Sequence, residues 1–313
     1  MLVRAPSDVT SLREAIWIDL YAPTEAERRE VETATELRLP DKNAIEEIET
    51  SSRVYVEDGA LYLSTPVLGG TDCVHDMLTS IGFVLTPERL VTLRYADLPA
   101  FRELAKAQAK QRDASASGTF VRLLEIIVDH TADALEHAGA ELERISHEAF
   151  RAEQPHRRHA RMNRDLRASL RKLGRMSDGV SHVRDALLGL GRVATFVNET
   201  GGQYGLELTP RQLSAIRGDL ASLTDYQAHL AGKVQFLLDA TLGFISIQQN
   251  DIVKMLTVVS VVGVPPVLIA GIYGMNFKNM PELSWPLGYP YALGLIVVSG
   301  LLPLVWMKWR GWM

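Results

Sequence analysis

Two charge-free apolar runs near the C-terminus constrain this chain more than any other feature. No Asp, Glu, Lys or Arg occurs from Met255 to Phe277, and none from Leu283 to Met307. Each run is long enough for a helix across roughly 30 Å of hydrocarbon, which takes about 20 residues. Nothing upstream compares, so the chain reads as a large soluble body followed by a membrane hairpin. Lys254 precedes the first run, Lys308 and Arg310 follow the second, and the connecting loop holds only Lys278. The positive-inside tendency then puts both termini in the cytoplasm and the loop outside. The N-terminal MLVRAPSDVTSLREAIWIDL has charges where a signal peptide needs an apolar core, so no cleaved export signal is expected. The expected location is the cell inner (plasma) membrane.

The upstream body has room for more than one compact unit in a chain of 313 residues. A formal charge of −5 is mild and points to neither nucleic acid nor an acidic partner. The single cysteine, Cys73, excludes an internal disulfide framework and any multi-cysteine zinc site. Residues 1–118 read as an α/β cytoplasmic domain. Ala15-Ile16-Trp17-Ile18-Asp19-Leu20 is a short apolar strand, and Thr24 precedes an acidic helical stretch. Asp58-Gly59 separates two alternating runs as a two-residue hairpin turn. A second pair of runs brackets Pro87-Glu88.

Residues 119–208 turn helical. Phe120, Leu123, Leu124, Ile127, Leu135, Leu142 and Ile145 recur at three- and four-residue steps; the pattern pauses near Pro155, resumes at His159 and stops at Gly201-Gly202. Two long paired helices fit. Thr209, Pro210 and Gln212 then announce another helix start. From Pro210 this stalk, 209–254, runs without a break into the first span, 255–273. Unbroken to Tyr273 it is about 95 Å long at 1.5 Å per residue. One chain of this size cannot cover such a rod, so it is predicted to pack against copies of itself. The remaining segments are an extracytoplasmic loop (274–290), a second span (291–307) and a basic cytoplasmic tail (308–313). Pro265-Pro266 inside the first span free carbonyls one turn earlier. A lipid-facing kink and a helix lining a wet path both account for them.

The loop reads YGMNFKNMPEL, and a basic, tryptophan-containing KWRGW lies near the C-terminus after an aromatic-rich Gly288-Tyr289-Pro290. Gly274-Met275-Asn276 after the first of two C-terminal spans, followed by Met280-Pro281-Glu282-Leu283, resembles the CorA family of divalent-metal channels. Trp17-Ile18-Asp19-Leu20 with Pro23, and LVTLRYADLPAFRE, look like that family's cytoplasmic domain. The resemblance implies a homopentamer in the lipid bilayer. Five first spans line a pore, five second spans surround them, and the long helices form a cytoplasmic funnel capped by α/β domains. It implies Mg2+ as the transported ion, with Co2+ or Ni2+ as companions, and no enzyme activity, cofactor or nucleic-acid partner.

The residue chemistry suits that reading. Mg2+ dehydrates reluctantly and prefers oxygen partners. A ring of Asn276 amides can accept hydrogen bonds from metal-bound water and leave the shell in place. Gly274 lets the backbone turn, and Met275 braces the turn by packing. On the residues alone, Asn276 as a cap for the helix end is the plainer alternative. Counting back from Asn276, Val267, Val264, Ser260, Leu256, Val253 and Asn250 step by three or four and share one side. By resemblance these are pore-facing. Val253, Leu256 and Val264 are apolar constrictions that gate by dewetting, and Ser260 and Asn250 are polar stations. An ordinary apolar stripe in a bundle has the same periodicity. By the same resemblance Asp239 faces the funnel; a solvated carboxylate is the alternative. Glu282 attracts ions to the loop, although Lys278 stands where many relatives carry an acid. Carboxylates from Asp41 to Glu49, with Glu57 and Asp58, are candidates for regulatory Mg2+.

Other signals are weaker. The basic run 156–175 lacks interleaved aromatics, which argues against nucleic acid. His156 with His159, and His130 with His137, lack any HExxH or Cys/His cluster. No Walker-type glycine loop or nucleophile–base arrangement is present. Rival readings are a Zn2+ transporter of the related ZntB branch and a membrane-anchored scaffold without a pore.

Overall fold

The computed structural model describes residues 2–5, 11–47, 49–70, 78–108, 115–151, 159–208, 210–276 and 280–311. The chain divides into two compact units, Met1–Asp239 and Ala240–Met313. Cys73, His156, Thr209 and Lys278 lie outside the described residues.

The first unit begins with β1 (Leu2–Ala5) and its antiparallel partner β2 (Trp17–Tyr21). Helix α1 (Glu25–Thr35) starts where the sequence places it. The Thr24 hydroxyl accepts from the Glu27 backbone N–H at 3.3 Å, and the Glu27 carboxylate accepts from the Thr24 N–H at 2.8 Å. This closes a capping box. Two short helices follow, α2 (Lys42–Glu46) and α3 (Thr50–Arg53). Strands β3 (Val54–Glu57) and β4 (Ala60–Leu68) pair antiparallel around Asp58 and Gly59, whose φ values are 47° and 79°. Both turn residues are left-handed, as the twist of a two-residue hairpin requires. Strands β5 (Leu78–Leu85) and β6 (Leu90–Arg94) pair across a turn in which the Thr86 N–H donates to the Arg89 carbonyl at 2.9 Å.

The strands form one six-stranded sheet in the order β1-β2-β6-β5-β4-β3. All pairs are antiparallel except β2 with β6, which run parallel. Side chains alternate between two apolar layers. Trp17, Leu61, Phe83 and Leu85 pack with α4 (Pro99–Gln108) and the long helices; Ile18, Leu20, Tyr62 and Val84 pack with α1 and α2. Covering both faces explains why β4 is buried at every position.

The parallel pair carries a buried polar network. Arg94 donates from Nη2 and Nε to Asp19 Oδ2 at 2.9 and 3.1 Å, and the Thr92 hydroxyl donates to Asp19 Oδ1 at 2.8 Å. Trp17 Nε1 in turn donates to the Thr92 hydroxyl at 3.1 Å. The guanidinium lies over Tyr21 and Phe101, 4.6 and 4.8 Å from their ring centroids. Burial pushes the Asp19 carboxyl up from its usual range, and Arg94 and Thr92 pull it back. Breaking one partner of such a pair leaves a buried charge alone, at about 3–5 kcal/mol.

Helices α5 (Ala116–Arg151) and α6 (His159–Thr200) pack on each other, and α6 packs on β4. The approach of α6 to β4 is close at Gly189. A Cβ there would lie 2.3 Å from Thr65 Oγ1 and 2.6 Å from Pro66 Cδ. Gly205, at φ 73°, turns the chain after α6 toward α7 (Pro210–Tyr273). In this unit α7 buries Leu213, Ile216, Leu220, Leu230, Val234 and Leu237. Its Gln227 amide donates to the Val180 carbonyl at 3.0 Å, and Lys233 Nζ lies 2.5 Å from Glu143 of α5.

In the second unit the rest of α7 is joined to α8 (Gly288–Trp309) through a short 3-10 turn, Pro281–Ser284. Both helices are long and apolar enough to cross a membrane.

Candidate ion pathway and loop

The membrane part of α7 has two unlike faces. Val258, Val262, Pro265, Pro266, Ile269 and Tyr273 are half-buried, on one helical side. The facing positions of α8 are Ala292, Leu295, Ile296, Ser299, Gly300 and Pro303, also half-buried. The opposite side of α7 carries Asn250, Val253, Leu256, Ser260, Val264 and Val267, all exposed, the four apolar ones from 60 % at Val253 to 72 % at Val267. The whole candidate pore register therefore shares the face that the chain itself leaves uncovered. Its only polar side chains are Asn250 and Ser260, a turn or more apart.

The end of α7 is built by its backbone. The Gly274 N–H donates to the Ala270 carbonyl at 3.0 Å and the Met275 N–H to the Ile272 carbonyl at 3.2 Å. Gly274 is not in the left-handed region. A Cβ there would sit 3.1 Å from the Ala270 oxygen, the carbonyl to which its own N–H donates, as in any last helical turn. Met275 is 48 % exposed. The Asn276 side chain is exposed, and among the described residues it makes no hydrogen bond. Among the described residues, the hydrogen bonds at the helix end come from backbone groups and the Asn276 amide has no partner. Glu282 falls within the 3-10 turn.

Elsewhere the candidate residues are occupied more plainly. Asp239 is exposed and accepts from the Gln235 amide at 3.2 Å. Asp41 caps α2 by accepting from the Ala44 N–H at 2.7 Å; Lys42 pairs with Glu46, and Arg38 with Glu57. Among the described residues no group of three or more His, Cys, Asp or Glu side chains is placed to hold a metal ion. His130 sits 3.2 Å from Glu103. In the basic run, Arg167, Arg171 and Arg175 are exposed on α6, and Lys172 lies 3.5 Å from Glu148.

A family profile described as "CorA-like Mg2+ transporter protein" matches residues 13–309. The chain belongs to the CorA family. Magnesium transport protein CorA of Yersinia pseudotuberculosis is 32 % identical over 305 residues, covering 96 % of this chain and 93 % of the relative. Its counterpart in Haemophilus influenzae is 33 % identical over 318 residues, covering 100 % and 96 %. Among solved structures, the CorA magnesium transporter of Methanocaldococcus jannaschii matches with a TM-score of 0.76 at 20 % identity, over 95 % of this chain and 91 % of that one. The architecture is therefore a CorA-like fold: an α/β domain, long helices and two candidate membrane helices.

Sequence reasoning missed one member of this CorA-type hairpin. At Gly300 of α8, a Cβ would lie 3.4 Å from Pro266 Cγ and 3.8 Å from the Val262 carbonyl. Pro266 cannot donate to that carbonyl, four residues back. At least one of the two carbonyls freed by Pro265-Pro266 thus faces the second helix, a third option beside lipid and water. A lone glycine in an apolar run gave no signal, because its partner lies on another helix.

Proposed function

We propose that this CorA-family chain is a passive, potential-driven influx channel for hydrated Mg2+, with Co2+ and Ni2+ as companions, working as a homopentamer in the inner membrane. The observation that carries the reading is Asn276, an amide with no partner among the described residues, just beyond a helix face left uncovered by α8. Repeated around an axis, that face encloses a path and the amides form a collar. Amide oxygens accept hydrogen bonds from the ion's water without stripping it. Val253, Leu256 and Val264 then form apolar constrictions that close by dewetting, with Asn250 and Ser260 between and below them. Met275 packs against neighbouring copies. Glu282 raises the local cation concentration, and Asp239 faces the funnel.

The segment roles follow the same reading. Residues 1–118, 119–208 and 209–254 are cytoplasmic, 274–290 is the outer loop and 308–313 the inner tail. One charge falling through 100 mV gains about 2.3 kcal/mol, so a divalent ion gains roughly three decades of concentration ratio. The relatives' name, magnesium transport protein, supports the ion.

Purified protein in liposomes tests this. Mg2+ influx is expected, blocked by hexaamminecobalt, which mimics the hydrated ion. Asn276→Ala should abolish influx while the oligomer persists by light scattering; undiminished flux rejects the assignment. Zn2+ uptake that outcompetes Mg2+ favours the ZntB-type reading.

A further inference from the structure

A second concave feature lies wholly in the first unit. A groove of about 540 Å3 runs between α6 and α7, with Val54 of β3 at its edge. That volume is in the range of small-molecule sites, about 300–1,000 Å3. One wall is apolar: Phe196, Leu220 and Leu188, the last 51 % exposed despite its size. Arg192 and Arg217 also line it. Among the described residues neither guanidinium has an ion-pair partner.

A third guanidinium, Arg53, stands next to the edge residue Val54 and donates from Nε to the Glu47 carbonyl at 2.6 Å. Burial lowers its pKa, and repulsion from Arg192 adds to this, against an opposing pull from Asp185. Glu199 is the carboxylate in the lining. Arg192 and Arg217 against Glu199 leave the lining positive, and Arg53 beside it has Asp185 as a counter-charge. Unpaired guanidiniums are planar forks that match phosphate oxygens. The space far exceeds one phosphate, and its apolar wall suits a flat ring. The Thr195 hydroxyl adds a polar group that can orient a ligand in such a site, while the Thr224 hydroxyl donates to the Leu220 carbonyl at 2.7 Å and is left as an acceptor.

We propose that this groove binds a nucleoside phosphate, with the base against Phe196 and Leu188 and the phosphates between Arg192 and Arg217. Such a site ties a cytoplasmic metabolite to the soluble unit, and it does not depend on the ion pathway.

The test is a titration of the full-length protein in nanodiscs, free of Mg2+, with N-methylanthraniloyl-ADP. Saturable binding that unlabelled ADP displaces is expected. Arg192→Ala and Arg217→Ala should each weaken it about tenfold. Arg217 is exposed, so its removal spares the fold, and Arg175→Ala, outside the groove, should change nothing. Inorganic phosphate should compete only at far higher concentration. No saturable signal, affinity unmoved by both groove variants, or equal displacement by phosphate overturns the proposal. Each outcome reads the same whether or not the protein conducts Mg2+.

Discussion

The first unit covers its apolar faces with its own chain, whereas the second leaves most of them bare. Trp17, Phe83, Phe101 and Phe120 are almost wholly buried, while Val253, Leu256, Val264, Val267 and Leu268 are each well over half exposed. Large aliphatic residues are denser in the second unit and no charged side chain interrupts its two apolar runs, so the regions differ in composition as well as in solvent and partners. In water, removing apolar surface drives folding at about 25 cal/mol per Å2. In lipid that force between helices vanishes, and close packing by small residues and satisfied polar groups takes over. Gly300 against Pro266 belongs to the second regime, and Phe120 against Phe83, edge-on at 5.4 Å, to the first.

This contrast can be broken by substitution. Phe120→Ala should cost about 3–5 kcal/mol in the first unit, read as an earlier urea midpoint by far-UV circular dichroism. Val267→Ala should leave that midpoint in place, and an equal loss from the two would erase the distinction. The next effect separates two glycines of one helix. Gly189→Ala should destabilise by about 1–3 kcal/mol, because its methyl meets Thr65 and Pro66. Gly174→Ala has open space within 4 Å and should stabilise by about 0.5–1 kcal/mol. Thermal melting of both variants checks the opposite signs.

The smallest effect is a pH dependence. The hydrogen bond from Lys233 holds the Glu143 carboxyl below its usual range. A lowered folded pKa contributes stability that is present above the unfolded value and lost as pH falls through the folded one. Acid titration of melting temperature should therefore show a shallow loss below the ordinary carboxylate range. Glu143→Gln should flatten it, and an unchanged slope would remove the pair from the account.

Much of this molecule was legible locally. The charge-free runs announced both membrane helices, Thr24 ahead of an acidic stretch announced α1, and Asp58-Gly59 announced the β3–β4 hairpin. The tripeptide Gly274-Met275-Asn276 with Met280-Pro281-Glu282-Leu283 was enough to indicate the family. The backbone at Gly274 was less legible: a glycine beside a helix end suggests a left-handed turn, and here it continues the helical hydrogen bonding to Ala270 without a positive φ. The basic arginines of α6 and α7 were visible as residues, but not as the rim of one groove.

The sequence by itself determined what neighbours in the chain can decide: where helices begin, which turns have positive φ, and which stretches can enter a bilayer. Backbone sterics, capping and the length of an apolar run act over a few residues, so they leave a readable trace. Only the tertiary structure decided that β2 pairs with β6 in parallel, that Asp19 meets Arg94 across 75 positions, that Gly300 lies against Pro266, and which face of α7 is left bare. Those facts depend on how distant segments stack once the chain has turned, and no local interaction encodes the choice of partner.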